Sequence, residues 1–285
     1  MPVDLIPSFI DAKKRIFLSA TLTGDSFLVR DLGVESECVL KPLSSGDVLY
    51  SGERLILIPS LMDPILRRED IITWIQGLAR RHGNFGVVGI VPSFNHASYW
   101  EARGAKVTRV REIYKDIDEL KAKIRSSAAT DALVLVNEYD GVDLPDSTCR
   151  ILTLDSLPIY NTLMDKYSQN MRPNSSIIRR QIAQRIEQGM GRAIRGSSDW
   201  CIVVVTGTNI TNFLSDNSKR MFLSKEAQAQ IKIGEELIPL LKKEGGNLDV
   251  FEKLKLRVVR ENDELYPLAD REWAVAPDGS SDAAR

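Results

Sequence analysis

The stretch QGMGRAIRGSSDWCIVVVTG, Gln188 to Gly207, decides how the rest of the chain is read. Two glycines, Gly189 and Gly191, lie one residue apart; Arg192 and Arg195 follow, and then a run rich in β-branched residues. A glycine loop that cradles phosphate must follow a strand and open a helix, because the free N–H groups that hold the phosphate sit at the new helix's N-terminus. Here the order is reversed. SSIIRRQIAQRIEQGMGRAIRG (175–196) reads as helix before and through the glycines, and the strand comes after. The chain contains no Gly-Lys dipeptide, so it has no Walker A loop either. At about 100° per residue, Arg185, Gln188, Arg192 and Arg195 share roughly 80° of arc, beside an apolar arc of Ile178, Ile182, Ile186 and Ala193. Gly189 and Gly191 remove side chains next to the arginine stripe at a helix-propensity cost of ~1 kcal/mol each, which predicts a close approach there. Spacing alone leaves two readings open: a solvated basic helix, or a pair of arginines whose planar donors meet a phosphate.

Outward from this stretch, short runs of Val, Ile and Leu alternate with helix-period segments. RIFLSAT (15–21), RLILIP (54–59), GVVGIVP (86–92), KVTRV (106–110), DALVLVN (131–137), RILTLD (150–155) and DWCIVVVTG (199–207) predict strands. RREDIITWIQGLARRHG (67–83), FNHASYWEARG (94–104) and DIDELKAKIRSSA (116–128) predict helices between them. Strands that are apolar on both faces and alternate with helices imply an α/β fold, a mostly parallel sheet covered on both sides with right-handed crossovers. From about Asn209 the pattern is helical, and SKEAQAQIKIGEELIPLLKKEGG (224–246) carries an apolar stripe that stops at Gly245 and Gly246. The last fifteen residues, 271–285, have little left to bury and read as a disordered tail.

A chain of 285 residues is long enough to bury a full core, and 43% hydrophobic with 27% charged residues is ordinary for a globular protein. The net charge of −1 gives no global attraction to nucleic acid, so such binding would need local patches. Candidate patches are RGAKVTRVR (103–111) and RPNSSIIRRQIAQR (172–185); the alternative for each is a solvated face. Cys38, Cys149 and Cys201 lie far apart without CxxC spacing, which argues against a zinc site, an iron–sulfur cluster or a disulfide framework. A reducing, cytoplasmic setting is expected, nucleoid-associated if the source is bacterial. No apolar run is long enough for a membrane span, and the N-terminus lacks a signal peptide's core. His82 and His96 have no partner pattern, and Trp74, Trp100 and Trp200 fit packing positions.

Several segments together resemble superfamily 2 helicases. Gln188-x-x-Gly191-Arg192-x-x-Arg195 resembles motif VI, in the form shown by the Rad3/XPD and DinG branch. LSATLTGDSFLVRDLG (18–33) resembles that branch's motif III, VVGIVPSF (87–94) its motif IV, and VLVNEYDGVDLPDSTCRILTLDSLP (134–158) its motifs V and Va. One such match is common by chance, whereas four in order are specific. The resemblance implies the second, C-terminal RecA-like lobe of a P-loop NTPase motor, with motif III and the inter-lobe junction at 1–22, the lobe at 23–222, a helical extension at 223–270 and the tail at 271–285. The first lobe, which carries Walker A and the DExH box, is missing from this sequence. The start near motif III therefore implies a cut gene product or an excised C-terminal part, inactive on ATP by itself.

The resemblance also implies roles. Arg192 and Arg195 would contact the γ-phosphate of ATP held with Mg²⁺ mainly by the missing lobe, and Gln188 would link the nucleotide to the cleft. Asp143 and Gly141 would lie at the inter-lobe cleft; the alternative is an ordinary turn. Asp140 stands where the branch usually has Glu, which keeps the charge and shortens the reach. Ser93 would hold a phosphate of single-stranded DNA and Phe94 would stack a base, against a loop serine and a half-buried phenylalanine as the alternative. Ser19 and Thr21 would couple hydrolysis to strand movement. No metal is expected on this chain, and no membrane partner. The expected partners are single-stranded DNA and a first lobe in the same protein or in trans. The competing hypothesis is a stand-alone, non-catalytic RecA-like module that binds nucleic acid or a protein.

Overall fold

A computed structural model describes residues 6–17, 26–41, 43, 53–139, 141–144, 146–158, 163, 167, 170–172, 175–194 and 199–243. The chain divides into two compact units, Met1–Leu49 and Tyr50–Arg285. The first contains three short helices, α1 (Pro7–Ile10), α2 (Ser26–Arg30) and α3 (Ser36–Leu40). Pro7 opens α1, where its missing N–H is no loss. The strand expected at 15–21 does not form over residues 15–17, and 18–21 lie outside the described residues. No described strand runs beside residues 15–17, so their N–H and C=O groups have no ladder to join. Arg15 instead lies over the Phe9 ring, 5.1 Å from its centroid.

The second unit is built on a sheet of six strands, all parallel: β1 (Glu53–Leu57), β2 (Val87–Val91), β3 (Lys106–Val107), β4 (Leu133–Val136), β5 (Ile151–Asp155) and β6 (Trp200–Thr206), in the order β1-β6-β5-β2-β4-β3. Its described helices are α4 (Pro59–Met62), α5 (Arg68–Arg81), α6 (Phe94–Glu101), α7 (Ile113–Arg125), α8 (Ser176–Met190), α9 (Thr208–Ser215), α10 (Asn217–Arg220) and α11 (Lys225–Lys243). Because side chains alternate across a strand, the longer strands feed two cores. Val88 and Ile90, Leu133 and Leu135, Leu152 and Leu154, and Val203 and Val205 face one core, closed by Ile117 and Leu120 of α7, Ala183 and Ile186 of α8 and Phe213 of α9. Val87 and Val91, Val134, Ile151, and Ile202 and Val204 face the other, closed by Ile72, Ile75 and Leu78 of α5 and Trp100 of α6. This is the α/β architecture that the resemblance implies for a RecA-like lobe.

Differences from expectation are local. The strand over 106–110 shrinks to two residues: Thr108 N still donates to Val134 O (2.9 Å), and the chain then turns, Glu112 N donating to Arg109 O (2.8 Å). α7 starts at Ile113, three residues before the expected Asp116, because Ile113 and Ile117 both reach the core. The C-terminal helical extension is present as α11, packed onto β1: a Cβ on Gly234 would stand 1.9 Å from the Ile56 carbonyl oxygen, so helix backbone meets strand backbone there. Ion pairs hold the same region, Arg54 to Glu226 at 2.8 Å and Arg220 to Glu235. The tail expected at 271–285 lies outside the described residues.

Candidate functional site

The motif VI segment begins on α8. Ser175 precedes the helix in extended backbone, and the helix runs to Met190, where Gly191 turns it into a single 3₁₀ turn, Gly191–Ala193. The arc of arginines expected from a continuous helix therefore breaks after Gln188, since 3₁₀ geometry advances each residue by about 120°. Arg185 does not face open solvent: it is half-buried, with its guanidinium carbon 5.9 Å from the centre of the Tyr139 ring. The two glycines also separate. A Cβ on Gly189 would come within 3.0 Å of Tyr139 Cδ1 and 3.2 Å of Leu154, so the close approach there comes from the protein's own core. A Cβ on Gly191 would meet nothing within 4 Å.

Arg192 is held by backbone oxygens. Its Nε donates to Gln188 O (3.1 Å), its Nη1 donates to Val142 O (3.3 Å), and Leu144 N donates back to Arg192 O (3.1 Å). Asp143 Oδ1 stands 3.9 Å from Nη1, with the Arg192 side chain 20% exposed and that of Asp143 51% exposed. Buried Val142 and Leu144 anchor the segment on either side of Asp143, and Gly141 enters it at φ +83°, a conformation in which a glycine carries no Cβ penalty. The structure thus brings Gly141, Asp143, Gln188 and Arg192 into one locus, and leaves Nη2 of Arg192 without a hydrogen bond to a described residue. The half-buried Gln188 side chain likewise makes none. Arg195, Asp140, Ser19 and Thr21 lie outside the described residues.

The carboxyl ends of the strands form a second locus. Ser93 and Phe94 follow β2 and open α6, next to the exit of β4, where Asn137 N donates to Val91 O (2.7 Å). Phe94 is 57% exposed. The half-buried Ser93 shares a 2.9 Å hydrogen bond between its Oγ and His96 Nδ1. His96 is held below its ordinary value of 6.5 by partial burial first and by the Arg68 guanidinium second, with Asp155 acting in the opposite sense. Asn137 (φ +61°), Ser156 (φ +75°) and Gly207 (φ +101°) carry β4, β5 and β6 out through left-handed backbone. For Ser156 that conformation costs about 1–2 kcal/mol.

Sequence reading missed the anchor beneath this edge. Asp155, wholly buried at the end of β5, receives Arg68 Nε on Oδ1 (2.6 Å) and Arg68 Nη2 on Oδ2 (2.7 Å). Trp100 Nε1 donates to Oδ2 (2.7 Å) and Ser156 Oγ donates to Oδ1 (2.9 Å). Arg68 also donates to His96 O (3.1 Å) and lies over the Tyr99 ring at 4.6 Å. Gly89 of β2 leaves room for the indole, since a Cβ there would come within 3.3 Å of Trp100 Cζ2. Trp100 thus has the packing role expected of it, with a hydrogen bond added, and His96 has a defined place in the network. The available signal was a carboxylate ending an otherwise apolar strand, ILTLD, which must find donors if it is buried.

Among the described residues no cluster of His, Cys, Asp or Glu is suited to a metal ion, and no helix is long and apolar enough to cross a membrane. Cys149 and Cys201 are buried free thiols, and burial raises Cys149 well above its ordinary value.

Residues 91–225 match the family model of the helicase C-terminal domain. The match runs from the last residue of β2 to the first of α11 and contains Ser93, Phe94, Gly141, Asp143, Gln188 and Arg192. Over these residues the chain is similar to helicase C-terminal domains. No curated protein matches the chain. Similar solved structures are XPD in its apo form, with a TM-score of 0.45, and an XPD helicase at 0.44, each 14% identical over 72% of this chain. The chain spans less than half of either, 45% and 40% respectively, and at these scores the likeness adds nothing to the sheet topology.

Proposed function

We propose that the chain is the second motor lobe of an ATP-dependent DNA helicase of the XPD and DinG kind, closing on a nucleotide held by a first lobe. The observation that carries this reading is the state of Arg192 in the segment that matches helicase C-terminal domains: oriented by two carbonyl oxygens, loosely paired with an exposed Asp143, and with no hydrogen bond from Nη2 to a described residue. An arginine held this way has donors left over for an anion arriving from outside. On closure, Arg192 and Arg195 would meet the γ-phosphate of ATP, and Gln188, one turn earlier, would report the bound nucleotide to the cleft. Mg²⁺, held with ATP by the first lobe, would neutralise charge between the phosphates. Asp143 and Gly141 would form this lobe's side of the cleft. Ser93, Phe94 and Asp140 would meet single-stranded DNA, and Ser19 and Thr21 would couple the two events.

The test is ATP turnover in the protein that contains both lobes, or in this chain mixed with a first lobe. Arg192→Ala is expected to lower the rate by roughly three orders of magnitude or more, the range for a charge-stabilising arginine. This chain alone is expected to hydrolyse ATP negligibly. Turnover by Arg192→Ala within about threefold of wild type would overturn the arginine assignment, since a direct phosphate contact contributes far more.

A further inference from the structure

The neighbouring strands β2, β4 and β3 run parallel, so their exits lie side by side along one edge. At a strand spacing of about 4.8 Å, the first and third exits are roughly 10 Å apart. The first carries Ser93 and Phe94, the second leads into Gly141, and the third is the turn from Thr108 to Tyr114. Tyr114 is 71% exposed on the first turn of α7, and its hydroxyl lies 3.5 Å from Gly141 O, which fixes this turn beside the motif V segment.

The cations of the 103–111 cluster divide into two kinds. Arg103 donates to Thr73 Oγ1 (2.8 Å) and Tyr99 O (2.9 Å), and Lys106 pairs with Asp116 and Glu119, both at 2.7 Å. These two belong to the fold. Arg109 and Arg111 are exposed and make no ion pair or side-chain hydrogen bond with a described residue, although the turn also carries the exposed Glu112. Two arginines without a partner among the described residues, an exposed ring and a glycine whose Cβ position is open within 4 Å supply the groups that a phosphate-and-stacking surface needs.

We propose that Arg109, Arg111 and the Tyr114 ring form the third station of a single-stranded DNA track that begins at Ser93 and Phe94. The inference rests on the strand-binding part of the proposed function and extends it to residues outside the helicase motifs. The arginines neutralise two phosphates, and Tyr114 stacks one base.

The experiment titrates a fluorescently labelled oligothymidylate with the full chain at several salt concentrations and follows anisotropy. Replacing Arg109 and Arg111 together by alanine is expected to flatten the dependence of log affinity on log salt by about 1.4, two charges at ~0.7 each, and replacing both by lysine is expected to restore it. Tyr114→Ala is expected to weaken binding roughly five- to hundredfold with the slope unchanged, and Tyr114→Phe to retain it. If the double alanine variant keeps the wild-type slope and Tyr114→Ala keeps the affinity while Phe94→Ala weakens binding, the turn lies off the track and the strand-binding reading stands. If the wild-type chain does not bind the oligonucleotide even at the lowest salt, that reading and this inference fall together.

Discussion

Arg68 and Arg192 are two arginines on one scaffold, each facing an aspartate, and they are built for opposite ends. Arg68 meets a carboxylate with no exposure, in a two-pronged contact that Trp100 and Ser156 complete, so the acceptor positions on Asp155 are taken. Arg192 meets Asp143 across 3.9 Å, with half of that carboxylate's side chain in solvent, and owes its orientation to carbonyl oxygens. A closed ion pair fixes geometry and admits nothing further. An open one in the same fold keeps its charge available at small expense, since solvent already screens it. The same contrast separates Gly189, filled by Tyr139 and Leu154, from Gly191, which faces open space.

The difference can be broken or sharpened by stability measurements in urea. Asp155→Ala strands a partly buried guanidinium and is expected to cost about 3–5 kcal/mol. A loss no larger than that of Asp143→Ala would end the distinction between the two sites. Trp100→Phe keeps the ring and removes one donor to a charged acceptor, for an expected loss of roughly 1.5–3 kcal/mol. The glycines should move in opposite directions. Gly189→Ala overpacks a tight site and is expected to destabilise by about 1–3 kcal/mol less whatever it gains in helix propensity. Gly191→Ala, in backbone that alanine tolerates (φ −75°), is expected to stabilise by about 0.4–1 kcal/mol. Asp143→Ala should shift stability by under ~1 kcal/mol, the range for a pair whose carboxylate stands half in solvent.

The smallest expected effect is the pH dependence at His96, whose folded value lies below 6.5. The unfolded chain then takes the proton more readily. The stability contributed by neutral His96 is complete above 6.5 and declines as pH falls below it. Urea midpoints compared between about pH 7 and pH 5 should fall more in wild type than in His96→Asn. Equal falls would place the titration elsewhere.

Apart from β3, whose Lys106 is exposed, the strands of the sheet were legible because each is a run of β-branched and aliphatic residues that must bury both faces, and VVGIV and ILTLD are visible without any partner. RIFLSAT has the same composition at its start and no described strand alongside it. Composition states what a segment can do, and pairing decides whether it does it. The meeting of Gly141 and Asp143 with Arg192 was legible only through the motifs, because no local pattern joins residues so far apart in the chain. Of the Asp155 clamp only the need for donors was legible, not the donors: Arg68 and Trp100 lie 87 and 55 residues away and meet it only after the sheet has formed. The division of the 103–111 cluster into cations with and without a partner among the described residues likewise depended on α7 placing Asp116 and Glu119 beside Lys106.

The contact between Gly234 and Ile56 reaches beyond packing. β1 is an outer strand of an all-parallel sheet, and such a strand offers a ladder of donors and acceptors to any passing chain. With helix backbone pressed against the Ile56 carbonyl, the place a seventh strand would take is already filled. The helix laid along β1 thus also shields that edge from strand pairing, and a truncation that loosens it is expected to show first as turbidity in the tube.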